Sequence, residues 1–353
     1  MLYIQDLHVV NFKNHSDKRI RFLPKLNAIC GNNGTGKTNL IDAINYLCLT
    51  RSYFNTNDTY NIKEQEQYFT IDGSFVKNEN TENYFCGFQE GGKKILKKNQ
   101  VPYEKLSEHI GQLPLIMNAP ADAALVTGGS SERRKFVDGT LAQTDSKYFA
   151  ALLKYNKFVE QRNAQLKLFD KQNNFDAGLL QLFDEQMAPL NAYIYHARKA
   201  FFEEILPYFL QYYTEIANKE EPVNIRYLSE FSNQSYLQAA ASNYRRDMAL
   251  GYTSSGIHRD DMELLFNLQP VKKWASQGQQ KTVLLALRLS QLRYIENQLG
   301  IKPILLLDDI FDKLDYHRCK ALIKLLNGDQ VGQVITTHTS TEIFEHENKI
   351  ILT

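Results

Sequence analysis

The residues with the clearest chemistry lie between positions 31 and 39, where glycines are interspersed with polar side chains. This segment fits the pattern G-x-x-x-x-G-K-[ST], and its residues are Gly31, Asn32, Asn33, Gly34, Thr35, Gly36, Lys37, Thr38 and Asn39. In such a loop the backbone N–H groups surround phosphate oxygens, the lysine reaches the outer phosphates and the threonine hydroxyl is a magnesium ligand. We therefore predict that residues 31–39 bind ATP, that Thr38 binds magnesium, and that Lys37 takes part in catalysis.

The segments on either side of this loop have the composition needed to hold it. Residues 26–30 form a short apolar run of strand type, and Leu40, Ile41, Ile44 and Leu47 recur at helical spacing after the loop. A glycine-rich turn without a ligand does not require this context. The order of strand, loop and helix therefore favours a phosphate-binding site.

A second set of polar residues follows strand-like segments near the end of the sequence. Residues 304–307 are apolar and lead directly into Asp308 and Asp309, while His338 ends the next strand-like segment. A carboxylate at the end of a parallel strand beside a phosphate loop can hold magnesium, and its neighbour can orient or deprotonate the attacking water. We assign Asp308 to magnesium, Asp309 to the water and His338 to the γ-phosphate. Taken alone, the two acids also fit an ordinary acidic helix cap.

The segment Ser276, Gln277, Gly278 and Gln279 stands before an apolar helical pattern and resembles the S-x-G-Q signature of ATP-binding-cassette ATPases. Ser276 fits a helix N-cap, and glycine at 278 allows close backbone approach, so this helix start is a second phosphate-binding end. One chain needs only one such end for its own nucleotide. We therefore expect the signature to complete the site of a partner protomer in an ATP-dependent homodimer. A capped helix with a glycine turn is the alternative.

Composition limits the remaining possibilities. The chain has 353 residues, 43% of them hydrophobic, which suffices for more than one domain-sized unit. A net charge of +1 argues neither for nor against a polyanionic partner. We expect a cytoplasmic protein without a membrane role, because the sequence shows neither a spanning-length apolar run nor a signal segment. Its four cysteines lack metal-type spacing and are expected to be buried thiols.

The pattern of elements changes along the chain. The first hundred residues are rich in strand-forming segments, residues 146–213 have helical spacing, and an α/β pattern returns after residue 302. Pro189 and Pro207 are expected to cut the helical region into pieces. We predict an α/β fold, a P-loop ABC-type ATPase head with a mixed sheet in lobe I and an inserted, mainly helical lobe II. Lobe I would comprise residues 1–118 and 301–353, and lobe II, with the signature, residues 119–300.

Any nucleic-acid surface must be local, since the chain is nearly neutral. The cluster Arg133, Arg134 and Lys135 is the candidate DNA-binding segment. The alternative is that these cations pair with acids such as Glu132 or Asp138.

Several motifs together resemble the RecF family of bacterial recombination-mediator ATPases, and the resemblance runs from end to end. The motifs, in order, are Leu7 to Asn14 (L-x-x-x-N-F-[RK]-[ND]), the phosphate loop, residues 129–138, the tetrad His258-Arg259-Asp260-Asp261, the Ser276 signature and Leu307-Asp308-Asp309. The segment Gly256-Ile257-His258 stands where a proline usually precedes the histidine, and the segment Asn118-Ala119-Pro120-Ala121-Asp122 has alanine where an acid usually lies. No glutamine can be assigned to the magnesium-sensing loop, and the tetrad has no assigned role.

The resemblance implies a protein that forms a homodimer around two ATP molecules and binds gapped or double-stranded DNA in that state. Slow ATP hydrolysis would time its release, and RecR and RecO would be its partners in loading recombinase during repair. It also implies that Asp315 is the residue of the D-loop.

Three other classes share part of this pattern. A transporter ATPase subunit would carry the same nucleotide motifs, but the opening Asn11-Phe12-Lys13 and the segment around Arg133 fit the RecF family better. An SMC-type ATPase would need long heptad segments between its nucleotide halves. A small-molecule P-loop kinase is disfavoured by the Ser276 signature.

Overall fold

The computed structural model describes residues 1–172, 175–310, 316–340, 344 and 348–352. The chain forms two compact units. One contains Met1–Asp122, Tyr212–Asn218 and Leu285–Thr353, and the other contains Ala123–Gln211 and Lys219–Leu284. These boundaries lie close to the expected lobe limits at 118 and 119 but not to those at 300 and 301, so the assignment of the lobes stays a prediction.

The strands are numbered in chain order. They are β1 (Leu2–Phe12), β2 (His15–Arg21), β3 (Leu26–Gly31), β4 (Tyr68–Lys77), β5 (Asn80–Gln89), β6 (Ile95–Lys98), β7 (Val101–Pro102), β8 (Leu115–Asn118), β9 (Val223–Leu228), β10 (Asp261–Phe266), β11 (Gln269–Pro270), β12 (Ile304–Leu307), β13 (Val334–His338) and β14 (Asn348–Leu352).

The helices are numbered in the same way. They are α1 (Lys37–Leu49), α2 (Ala123–Thr127), α3 (Ser130–Thr144), α4 (Ser146–Gln172), α5 (Ala177–Ala217), α6 (Tyr236–Leu250), α7 (Val271–Trp274), α8 (Gln277–Leu299) and α9 (Tyr316–Asn327). Within the described residues, no helix is long and apolar enough to span a bilayer.

The first unit contains two sheets with α1 in their shared core. Six strands form an antiparallel sheet in the order β2-β1-β4-β5-β6-β7, and five form a parallel sheet in the order β14-β3-β13-β12-β8. One core cluster joins residues of both sheets to α1, including Leu7, Ile44 and Leu306. The strands β3, β12 and β13 are buried along nearly their whole length, as parallel strands covered on both faces are. Because β3, β12 and β13 run parallel in one sheet, their C-terminal ends lie at the same edge of that sheet.

The second unit combines helices α3 to α6 with a small antiparallel sheet in the order β11-β10-β9. Its helices are joined by a fully buried arginine. Arg162 on α4 pairs with Asp184 on α5 at 2.9 Å and with Asp247 on α6 at 2.7 Å. Removing one partner of such a buried pair typically costs about 3–5 kcal/mol, so these three residues fix how the helices pack.

The helical region is more continuous than the sequence suggests. Helix α5 runs unbroken from Ala177 to Ala217 and contains Pro189 and Pro207 in its interior, so the expected interruptions at these positions are wrong. Both prolines lie on the exposed side of the helix. There the carbonyl groups that lose their hydrogen bonds are accessible to water, while buried residues on the other side keep the helix in place.

Candidate functional site

The phosphate loop connects β3 to α1, and its backbone requires glycine. Gly36 has a φ of 92°, in the left-handed region that side chains disfavour. A Cβ atom there would also lie 2.5 Å from the side chains of Asn14 and His15. Glycine at this position therefore permits both the turn and the close packing of the β1–β2 connection.

Lys37 is held inside the loop. Its side chain is buried, and its Nζ donates to the carbonyl oxygens of Gly31 at 2.8 Å and Asn32 at 3.0 Å. Thr35 Oγ1 also donates to the Asn32 carbonyl at 2.9 Å. The structure thus holds a cation against the carbonyl oxygens of the phosphate loop.

Thr38 and Asp308 meet at the start of α1 and the end of β12. Thr38 Oγ1 donates to the two carboxylate oxygens of Asp308 at 2.9 and 3.1 Å, and Thr337 Oγ1 donates to the first of them at 2.7 Å. Burial raises the pKa of the Asp308 carboxyl, while these two hydroxyl groups act in the opposite direction. A bound cation would favour the ionised carboxylate.

A hydroxyl and a carboxylate oxygen suit magnesium, which takes few protein ligands and keeps several waters. Among the described residues, no group of three or more acids, histidines or cysteines could hold a metal ion. The donor pair of Thr38 and Asp308 therefore fits magnesium bound together with a nucleotide.

Asp309 lies next to this pair in a left-handed backbone conformation, with φ at 45°. Its N–H donates to Thr337 Oγ1 at 3.0 Å. Aspartate tolerates this region better than most residues because its short polar side chain bonds locally. Asp309 is half-buried, and its Oδ1 lies 3.3 Å from the Thr337 hydroxyl that also contacts Asp308.

His338 ends β13, the strand between β3 and β12, where it is paired in register with Cys30. The imidazole is buried, and its Nδ1 lies 2.9 Å from both the backbone N–H and the carbonyl oxygen of Ser340, so this residue holds the ring in place.

The β1–β2 connection supplies contacts that the sequence analysis did not assign to the site. Asn39 Nδ2 donates to Asn14 Oδ1 at 2.8 Å, and His15 Nε2 lies 3.1 Å from the Gly36 carbonyl oxygen. Burial lowers the pKa of His15, which favours the neutral ring beside the loop. The sequence marks this region only through the family-type segment that ends in Lys13 and Asn14. That segment indicated a family resemblance but did not predict these contacts.

The signature residues begin α8, in the second unit. Ser276 N donates to Gln279 Oε1 at 2.8 Å and Gln279 N donates to Ser276 Oγ at 3.2 Å, which is a reciprocal capping box. Gly278 lies in the first turn, where backbone N–H groups have no acceptor within the helix. Ser276 is exposed, so its O–H and the Gly278 N–H face a region that an anion can enter.

The side chains of the basic cluster on α3 mostly form hydrogen bonds and ion pairs with other residues of the second unit. Arg133 is buried, and its Nε and NH2 donate to the carboxylate of Asp261 at 2.7 and 2.9 Å. Arg134 donates to the Asp260 carbonyl at 2.8 Å, and exposed Lys135 pairs with Glu132 at 2.8 Å. The guanidinium of Arg133 thus already holds an internal ion pair. The role of Arg133, Arg134 and Lys135 in DNA binding stays a prediction.

In the tetrad that begins at His258, His258 and Asp260 are held by contacts within the second unit, whereas Arg259 is exposed. His258 Nδ1 lies 2.9 Å from Tyr155 Oη, and burial lowers the pKa of the ring to about 4. Asp260 pairs with Arg198 at 3.0 Å. These contacts indicate a structural role for the motif. Asp315, the expected D-loop residue, lies outside the described residues.

Comparison with known proteins decides the family. A family model described as the RecF/RecN/SMC N terminal domain matches residues 3–353. The DNA replication and repair protein RecF of Flavobacterium johnsoniae is 42% identical over 341 residues, which cover 97% of this chain and 95% of that protein. This chain belongs to the RecF family. RecF of Parabacteroides distasonis is 40% identical over 344 residues, covering 98% and 93% of the two chains.

Solved structures of the RecF family share this fold. A structure of the recombination mediator protein RecF-ATPrS in the RecFOR pathway matches with a TM-score of 0.91 and 29% identity, covering 100% of this chain and 96% of that one. The corresponding RecF-ATP structure has a TM-score of 0.88 and 31% identity, covering 98% and 94%. An Smc head domain from Pyrococcus furiosus, at 17% identity and a TM-score of 0.56, shares the fold alone. The predicted ABC-type ATPase head and the family are confirmed.

Proposed function

We propose that this protein is an ATP-dependent, DNA-binding recombination mediator that uses slow ATP hydrolysis as a switch. The observation that carries this proposal is the contact between Thr38 and Asp308, which joins the phosphate loop to the strand-end carboxylate. It would create a nucleotide and magnesium site in a chain that is similar to RecF proteins over nearly its whole length.

The ATPase reaction would use the residues at the edge of the parallel sheet. Lys37 would exchange its loop carbonyls for phosphate oxygens, and Thr38 and Asp308 would hold magnesium, which neutralises phosphate charge when it is bound. Asp309 would orient or deprotonate the attacking water. The imidazole of His338 would contact the γ-phosphate.

The signature would act in trans. The Ser276 hydroxyl and the Gly278 N–H would bind the γ-phosphate held by the loop of a second copy, so a dimer would form with ATP and separate after hydrolysis. Two equivalent sites would then hold the dimer together.

DNA binding would be a property of the ATP-bound dimer, directed at phosphates and not at sequence. The ligand would be gapped or double-stranded DNA, and RecR and RecO would be partners. The names of the related proteins, which refer to DNA replication and repair and to the RecFOR pathway, support a role on DNA together with these proteins. The nearly neutral charge of the chain gives no independent support, so the DNA surface must be local.

The test is the nucleotide dependence of DNA binding, measured by fluorescence anisotropy on a gapped duplex with ATP, with ADP and without nucleotide. We expect binding with ATP that is lost with ADP and weakens as salt rises. Equal binding in all three states, or none in any, would contradict the proposal.

A further inference from the structure

Trp274 is exposed immediately before the signature. It is the only tryptophan in the chain, 65% of its surface is accessible, and it stands two residues before Ser276. A tryptophan side chain buries some 150–250 Å² in a core or interface, so leaving it in water forgoes considerable stabilisation.

The local backbone holds Trp274 in this position. Helix α7 is anchored by Val271, which is buried, and Ala275 N donates to the Val271 carbonyl at 3.0 Å. Ala275 is also buried, and the capping box fixes Ser276 directly after it. Trp274 therefore points outward from a segment that is fixed on both sides.

The residues around Trp274 are cationic and exposed. Lys272 and Lys273 precede it in α7 and are exposed, and neither takes part in an ion pair among the described residues. An apolar ring preceded by two lysines is complementary to a protein surface that carries the negative charge of phosphates. A surface with bound nucleotide is one example.

We propose that Trp274 is an interface residue that a second copy of this chain covers, on its ATP-bearing face, when the ATP dimer forms. This inference rests on the proposed function. Two residues span at most about 7 Å between Cα atoms, and Ser276 would contact the partner's phosphate at about 3 Å. Trp274 therefore lies close enough to the signature for the partner's surface to cover or border its side chain.

DNA is the other occupant that an aromatic ring beside lysines could take. The position next to Ser276 favours the second copy, because in the proposed dimer the partner's ATP would lie in front of the signature.

The intrinsic fluorescence of the wild-type protein tests this inference without a label. ATP should shift the tryptophan emission to shorter wavelength and reduce its quenching by acrylamide, in step with the increase in mass seen by light scattering. ADP should do neither. The variant Ser276→Arg, with ATP bound to the monomer, should show no ATP-induced shift.

The outcomes separate the two proposals. If light scattering shows an ATP dimer while emission and quenching stay unchanged, Trp274 is not covered and this inference is overturned, although the proposed dimer stands. If ATP produces no dimer, the proposed function fails. A shift that appears only when DNA is added to a dimer already formed assigns the residue to DNA and overturns the inference.

Substitution provides a second measurement. Interface tryptophans commonly contribute at least about 2 kcal/mol, so Trp274→Ala should weaken the ATP dimer by at least about thirtyfold. Trp274→Phe should retain most of the affinity, and ATP binding to the monomer should not change. Leu250→Ala, which removes another exposed apolar side chain of the same unit, is the matched control and should dimerise normally. An unchanged dissociation constant for Trp274→Ala would overturn the inference.

Discussion

The hydroxyl of Thr38 lies 2.9 Å from one carboxylate oxygen of Asp308, although 270 residues separate the two in the chain. The parallel sheet makes this contact possible, because β3 and β12 end at the same edge with β13 between them. The chain thus assembles its candidate nucleotide site from its beginning and its end, and the following predictions test the parts of that site.

Lys37→Ala should abolish ATP binding. The substitution deletes the buried cation of the phosphate loop and leaves the phosphate charge uncompensated. Isothermal titration with ATP measures this loss directly. The control is Lys105→Ala, which removes an exposed lysine of the same unit and should bind like the wild type. Unchanged affinity in Lys37→Ala would refute the assignment of the loop.

Asp309→Asn should keep ATP binding but slow hydrolysis by about two to four orders of magnitude, the range expected when a general base is lost. The ATP dimer should then accumulate, since its release depends on turnover. Phosphate release and light scattering on the same sample measure both effects. Wild-type turnover in this variant would remove Asp309 from the mechanism.

Arg133→Ala should lower the folding stability, whereas Lys135→Ala should leave it nearly unchanged. Arg133→Ala breaks charge-assisted hydrogen bonds to Asp261, each worth about 1.5–3 kcal/mol, and should lower the free energy of unfolding accordingly. Lys135→Ala should change it by no more than about 0.5 kcal/mol. If Lys135 contacts a DNA phosphate, its variant should reduce the salt slope of DNA binding by about one unit. An unchanged slope would limit Lys135 to its pair with Glu132.

Folding stability should fall in acid because of His109. Its ring is fully buried, Nε2 lies 2.8 Å from the Leu47 carbonyl, and burial lowers the pKa to about 4. The unfolded chain therefore binds the proton first, so the stability is present above about pH 6.5 and is lost as the pH falls toward 4, by up to about 3 kcal/mol. Denaturant titrations of the wild type and His109→Gln at both pH values measure this. The same pH dependence in both proteins would show that His109 is not its source.

The sequence predicted those parts of the site that depend on local spacing. The loop around Lys37 and the acids after residue 307 could be found because each motif stands directly beside its own strand or helix. Contacts between distant segments could not be found in this way. The bond from Asn39 to Asn14 depends on the β1–β2 connection, and the burial of Arg133 depends on Asp261, which is 128 positions away.

The unbroken helix α5 is a second feature that the local sequence pattern did not predict. A proline in an isolated helix is a strong signal for a break, but its effect depends on whether the freed carbonyl group meets water or the protein interior. The sequence alone does not say which face Pro189 and Pro207 occupy, whereas the structure places both on the exposed side.

Ser276→Arg should weaken the ATP dimer by at least about two to four decades in dissociation constant. The substitution removes a hydrogen bond to a charged group at each of two symmetric sites, together worth about 3–6 kcal/mol, and adds bulk. ATP binding to the monomer should persist. Light scattering and titration on the same variant measure both quantities, and normal dimerisation would mean that Ser276 only caps α8.

The most direct test of the switch mixes two inactive variants, Lys37→Ala and Ser276→Ala, and measures ATP hydrolysis. If the signature acts in trans, a mixed dimer contains one complete site, formed by the loop of the Ser276→Ala chain and the signature of the Lys37→Ala chain. The account predicts that the mixture hydrolyses ATP faster than the sum of the two variants measured separately. A mixture no faster than that sum would show that each chain needs its own loop and signature together, and it would contradict the ATP-dependent dimer.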